Sequence, residues 1–153
     1  MTTKGEAYIF LRNDGAPLPG GPAGHVGWGI KLEDGSYFGG STENSTGIPF
    51  VPPQGDNEGW ALPFADAAAM TAEFAERNYD SYKVATVRNP QPKPAAEVGV
   101  KAIGMGYAGL FNNCLDHSHG VLKAYGVQGL PWPATNPLPH HWYNAWNAEH
   151  HNL

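Results

Sequence analysis

One cysteine, Cys114, is the only thiol in the 153 residues of this chain. No intramolecular disulfide can form, so folding does not depend on an oxidising compartment. Basic residues are also scarce: nine Lys and Arg against fourteen Asp and Glu give a formal charge of -5 and a pI near 5.7. Scattered cations on an acidic chain argue against nucleic-acid binding, which needs clustered Lys and Arg to neutralise phosphates. No apolar run approaches the roughly 18 residues needed to span a bilayer. The apolar stretch at residues 7–11 is also too short for a signal peptide, so cytoplasmic synthesis is expected, with any action outside the cell needing a dedicated secretion system. The seven histidines fall in none of the standard zinc spacings, and neighbours such as His140 and His141 or His150 and His151 point apart. Neither a metal nor a cofactor is expected.

Glycine and proline, by contrast, are abundant, at 20 and 14 residues. With 41% hydrophobic and 15% charged residues the composition is globular, and its turn formers imply long connections. The length suits a single domain over residues 1–153, in which the Pro- and Trp-rich tail, residues 127–153, acts as a C-terminal clamp. Trp142 and Trp146 stand one helical turn apart and can lie on the body together.

Residues 7–12 read as a strand and residues 16–24 as a loop without regular structure, since three prolines and three glycines remove donors and loosen the backbone. That loop delivers His25 to a hairpin turning at Glu33-Asp34-Gly35. Val26, Trp28, Ile30 and Leu32 form one apolar face, while His25 shares the other with Gly27 and Gly29, leaving room for a substrate or a closely packed element. The return strand spans residues 36–40, followed by a polar run to 46 and a long loop over 47–63 in which Phe50 and Trp60 line a groove or pin the loop. A helix over 64–78, a strand over 81–87, a stiff Pro-rich connection over 89–94 and a helix over 95–103 come next.

A further helix begins at Cys114, capped by Asn112 or Asn113 and ended by Gly126, with Leu115, Val121, Leu122 and Tyr125 on its apolar side. A first-turn cysteine sits at the positive end of the helix dipole, which favours thiolate, and the free amides there can hold an oxyanion. Asp116 in the same turn opposes ionisation unless it faces away. The competing reading is a small buried hydrophobe. His25 is the best candidate base. Ser41, Glu43 or Asn44 is a candidate to orient it, as is a backbone carbonyl or water; Asn113 and His117 are candidate supports, His117 lying on the same helical face as Cys114.

His25 at the head of a hairpin, followed by Asn113-Cys114 at a helix start with Tyr107 before it and Val121-Leu122 after it, resembles the permuted NlpC/P60 group of papain-like cysteine hydrolases. The lecithin:retinol acyltransferase-like proteins share this arrangement. The resemblance spans about residues 6 to 127. It implies an α+β fold in which a small antiparallel sheet carrying His25 packs against the Cys114 helix. It also implies amide hydrolysis through an acyl-enzyme on Cys114. The group's third residue comes from the return strand, where the matching positions here are Gly39 or Gly40, neither of which has a side chain to offer. Peptide bonds, including those of peptidoglycan, are the first substrate class implied, and lipid acyl transfer or thioester hydrolysis the second. Bacterial toxin and effector domains resemble this group, which implies a cognate inhibitor or immunity protein as partner. A binding module that kept the scaffold without the chemistry is the alternative of a different class.

Overall fold

The computed structural model describes residues 4–14, 17–18, 21–22, 24–43, 50–108 and 113–153. In chain order its elements are β1 (Gly5–Arg12), β2 (Pro17–Leu18), β3 (Gly21–Pro22), β4 (His25–Lys31), β5 (Tyr37–Thr42), β6 (Phe50–Val51) and β7 (Gly59–Phe64). They continue with α1 (Ala67–Glu76), β8 (Ser81–Val87), α2 (Pro92–Ile103), β9 (Tyr107–Ala108), α3 (Cys114–Tyr125), α4 (Pro139–Ala145) and β10 (Glu149–Asn152). The fold is α+β, with a six-stranded antiparallel sheet in the order β10-β8-β1-β4-β5-β7. No helix among the described residues is long and apolar enough to cross a membrane.

Alternation along β1 and β4 divides the core into two layers. Ala7, Ile9, Leu11, Val26, Trp28 and Ile30 meet Leu115, Val121, Leu122 and Tyr125 of α3, with Trp142 of α4 buried beside them. On the opposite face Tyr8 and Phe10 pack with Met70 and Phe74 of α1. The Phe10 and Phe74 rings stack with centroids 3.6 Å apart. This is the face that Gly27 and Gly29 leave bare, and α1 fills it. A Cβ on Gly27 would lie 2.7 Å from Phe74 Cε1, and one on Gly29 2.6 Å from Met70 Sδ. The small residues therefore admit a helix, not a substrate.

Several boundaries differ from the sequence reading. Residues 16–24 do contain pairing, a two-residue ladder in which Pro17 faces Pro22. The long loop of 47–63 holds two strands: β6 pairs with β9, and β7 adds to the sheet beside β5. Pro63 is tolerated there because β7 is an edge strand, where one missing donor costs no ladder bond. The helix expected over 64–78 begins at Ala67, with the Asp66 carboxylate accepting from Ala69 N at 2.8 Å. The stiff connection ends earlier than expected, since α2 starts at Pro92 and takes in Pro94; first-turn amides have no intrahelical acceptor, so prolines cost little there. In the tail, α4 buries Trp142 and Trp146 as expected, and β10 then joins β8 at the sheet edge.

Candidate active site

The start of α3 is fixed by reciprocal hydrogen bonds. Asn113 Oδ1 accepts from Asp116 N at 3.0 Å, and the Asp116 carboxylate accepts from Asn113 N at 3.2 Å. Asp116 is thus turned back onto the helix start, and burial raises its pKa. Asn112, the other candidate cap, lies outside the described residues. Gly126 ends the helix in the left-handed region, φ 106°, a conformation that costs an L side chain energy.

Cys114, the first residue of α3, is 2% exposed, and His25, the first of β4, is 3% exposed. The two side chains act on each other's ionisation, and the Val26 N–H also favours the thiolate. His25 Nε2 lies 2.9 Å from Ser41 Oγ and 3.1 Å from Glu43 Oε2. The Ser41 hydroxyl donates to Val26 O at 3.2 Å, so toward the ring it is an acceptor. Both contacts therefore fit a single assignment in which Nε2–H donates to Ser41 and Glu43.

Glu43 gathers four donors. Its Oε2 accepts from His25 and from Arg12 Nη2 at 3.2 Å, and its Oε1 accepts from Trp60 Nε1 at 2.8 Å and from the Tyr79 hydroxyl at 3.0 Å. Burial pushes the carboxyl up, but His25, Trp60 and Arg12 outweigh it and hold its pKa at about 2. Burial likewise pushes the His25 ring toward the neutral form, and the sulfur and the Glu43 carboxylate reverse this, raising its pKa to about 9. For Cys114 burial raises the pKa, while the charge and hydrogen bond of His25 and the Val26 N–H lower it, with a net downward shift. Both shifts run toward a thiolate and an imidazolium, with the Glu43 carboxylate behind the ring.

The candidates for orienting His25 thus divide clearly. Ser41 and Glu43 both reach it, Asn44 lies outside the described residues, and Asn113 serves as the cap. His117 does not join the pair. Its Nδ1 lies 2.8 Å from Thr42 Oγ1, and burial lowers its pKa to about 4, so it is a neutral, buried link between α3 and β5. His119 packs between Trp132 and Trp142. The polar run beyond the return strand proves buried at its start, with Ser41 and Thr42 each 2% exposed, because β5 continues two residues past Gly40.

Four contributors were missed. Arg12, Trp60 and Tyr79 surround Glu43, and Tyr107 touches the thiol. Arg12 stands opposite His25 in the β1–β4 register, the signal that could have placed it. Tyr107 stands beside Cys114; burial first, and then the sulfur, raises its pKa. Among the described residues no group of three or more His, Cys, Asp or Glu is placed to hold a metal ion. No family model matches this chain, and neither a curated protein nor a solved structure matches it.

Proposed function

We propose that the chain is a cysteine hydrolase that cleaves an amide or related acyl bond, arranged as a permuted papain-like enzyme of the NlpC/P60 kind. One observation carries this reading: a buried thiol at a helix start beside a buried histidine whose Nε2 is held by Glu43 and Ser41. A merely structural cysteine has no need of a histidine oriented by a carboxylate with four donors.

In this mechanism the Cys114 thiolate attacks the substrate carbonyl carbon, and the carbonyl electron pair moves onto oxygen. The first-turn amides of α3, with the Tyr107 hydroxyl, hold that oxyanion. Collapse re-forms the carbonyl and breaks the carbon–nitrogen bond, with His25 giving its proton to the leaving amine. Neutral His25 then takes a proton from water, whose oxygen attacks the thioester and releases the acid, restoring the pair. Peptides, including the stem peptides of peptidoglycan, are the first substrates to try. Lipid acyl transfer is the second class. The binding-module alternative rested on the absence of a third residue, and Glu43 with Ser41 removes that motive.

The deciding substitution is Cys114→Ala. Incubated with peptidoglycan digests and with a peptide library, wild type should release new amino termini detectable by mass spectrometry, and Cys114→Ala none, with its unfolding midpoint close to wild type. Cleavage that survives the substitution, or no cleavage together with alkylation of Cys114 no faster than a free thiol near pH ~6, ends the hydrolase reading. A toxin or effector setting with an immunity protein is tested by expressing both forms in a bacterium with and without an export signal. Cysteine-dependent lysis on export points to the cell wall, cysteine-dependent arrest in the cytoplasm points to a protein substrate, and no cysteine-dependent effect in either compartment ends the toxin idea.

A further inference from the structure

Four ionisable groups follow one another in a line: Arg12, whose Nη2 lies 3.2 Å from Glu43 Oε2; Glu43, whose Oε2 lies 3.1 Å from His25 Nε2; His25 itself; and Cys114, whose ionisation His25 favours. Trp60 and Tyr79 also bond Glu43, but they are neutral donors that can orient the carboxylate without balancing its charge. Arg12 alone among the four donors brings a permanent positive charge. Its side chain is 19% exposed and its position is fixed from three sides: Nη2 on Glu43, Nη1 on the Arg77 carbonyl that closes α1, and the guanidinium over the Tyr79 ring.

We infer that Arg12 is the counter-charge of the site, a positioning residue that balances the buried Glu43 carboxylate and thereby sets the pH at which Cys114 becomes a thiolate. The inference rests on the reading of Cys114 and His25 as nucleophile and base, and it adds a sign. A carboxylate behind His25 serves to orient the ring, yet its negative charge also opposes a second negative charge at the sulfur. With Arg12 in place the line is neutral, and Glu43 orients without that penalty. Removing the cation leaves a net negative line, so the first proton of the Cys114–His25 pair is held to higher pH. Removing the Glu43 charge instead leaves a net positive line and releases that proton at lower pH. The shifts are opposite in sign, which no account based on lost packing produces.

Other ionisable groups surround the line, among them Asp116 of α3, whose carboxylate accepts from Asn113 N and whose pKa burial raises. Asp14 lies 3.9 Å from Arg12 Nε at the exposed end. The Arg77 guanidinium stacks on Trp60, 3.8 Å from the ring centre. Tyr107 of β9 stands beside the sulfur, and His117 of α3, its pKa lowered by burial, is bonded to Thr42. His140 of α4 packs on Gly24 beside His25.

The test is the alkylation rate of Cys114 by iodoacetamide in the full chain, followed with the thiolate's ultraviolet absorbance from about pH 3 to 10. Arg12→Met should move the acid limb upward by about half to one pH unit, Glu43→Gln should move it downward by a similar amount, and Arg12→Lys should leave it near wild type. An Arg12→Met profile that drops in amplitude with its limb unmoved would show a structural tie only and overturn the inference, as would a downward shift. If Arg12→Met does not fold, Glu43→Gln decides alone, since a limb that stays put or rises shows that the Glu43 charge is not felt at the sulfur. A wild-type limb at the pH of a free thiol defeats the nucleophile reading itself. A low wild-type limb that ignores Arg12 defeats only the counter-charge.

Discussion

Acidification should weaken this fold through His117 before it reaches the carboxylates, and the size of the effect follows from the structure. His117 is 5% exposed, bonded to Thr42, and held neutral by burial with a pKa of about 4 against 6.5 for an unperturbed histidine. Between those values the unfolded chain binds a proton that the folded chain does not, so stability falls as pH falls through that window. Going from about pH 7 to about pH 4, the loss from this residue alone is about 3 kcal/mol, a large share of a typical domain's stability. Other groups titrate in the same range with known signs. Glu43, whose folded pKa is depressed, contributes stability above 4.5 that is lost toward about 2. His25, whose pKa is raised, contributes stability that is complete below 6.5 and lost as pH rises through about 9. Comparison with His117→Gln cancels both. Urea denaturation of the two proteins at a series of pH values should show wild type losing about 2–3 kcal/mol more than His117→Gln on acidification, whatever their offset at neutral pH. Parallel stability curves for the two proteins across that range would refute the assignment of His117 as a buried neutral group.

Two further outcomes follow from single atoms. Tyr107→Phe removes a hydroxyl beside Cys114, and should lower the catalytic rate on any cleaved substrate by about tenfold to a hundredfold, with KM and the unfolding midpoint nearly unchanged; an unaltered rate excludes the hydroxyl from the oxyanion site. Gly99→Ala and Gly120→Ala should differ in sign when compared by thermal unfolding. At Gly99 a Cβ would stand 2.6 Å from Trp28 Cη2 and overpack the α2–sheet contact by about 1–3 kcal/mol, whereas at Gly120 the nearest side-chain atom is Val98 Cγ1 at 3.5 Å and the gain in helix propensity, about 0.5–1 kcal/mol, is left uncompensated.

Much of the fold was legible where local pattern and tertiary demand agree. The strand of β8 and the apolar faces of β4 and α3 follow from periodicity, and the Asn113 cap and Gly126 stop bracket α3 where the sequence places them. The misses share a cause: each is an element whose local chemistry carries no demand of its own. β10 reads Glu-His-His-Asn and becomes a strand only because β8 offers it a free edge. β7 carries a proline that an inner strand would reject, and α2 opens with prolines that only a first turn accepts.

The candidate pair Cys114 and His25 was legible as neighbours, and the residue behind them was obscured, because a family position stood in for a geometric one. Gly39 and Gly40 are where the resemblance places the orienting side chain, yet Gly40 pairs with Trp28, three residues along β4 from His25. Extending that antiparallel register by three residues sets Glu43 opposite His25, on the same face of the hairpin as Ser41. The turn at Glu33-Asp34-Gly35 already determined this pairing, since counting outward equally from Asp34 reaches His25 on one side and Glu43 on the other. What local pattern cannot supply is the company Glu43 keeps. A lone carboxylate behind a histidine, buried as this one is, would tend to take up a proton. It stays ionised because Arg12 comes from β1, Trp60 from β7 and Tyr79 from beyond α1, residues that meet only when the sheet and α1 are assembled. The chemistry of Cys114 is therefore a property of the whole sheet end, not of the helix that carries the thiol.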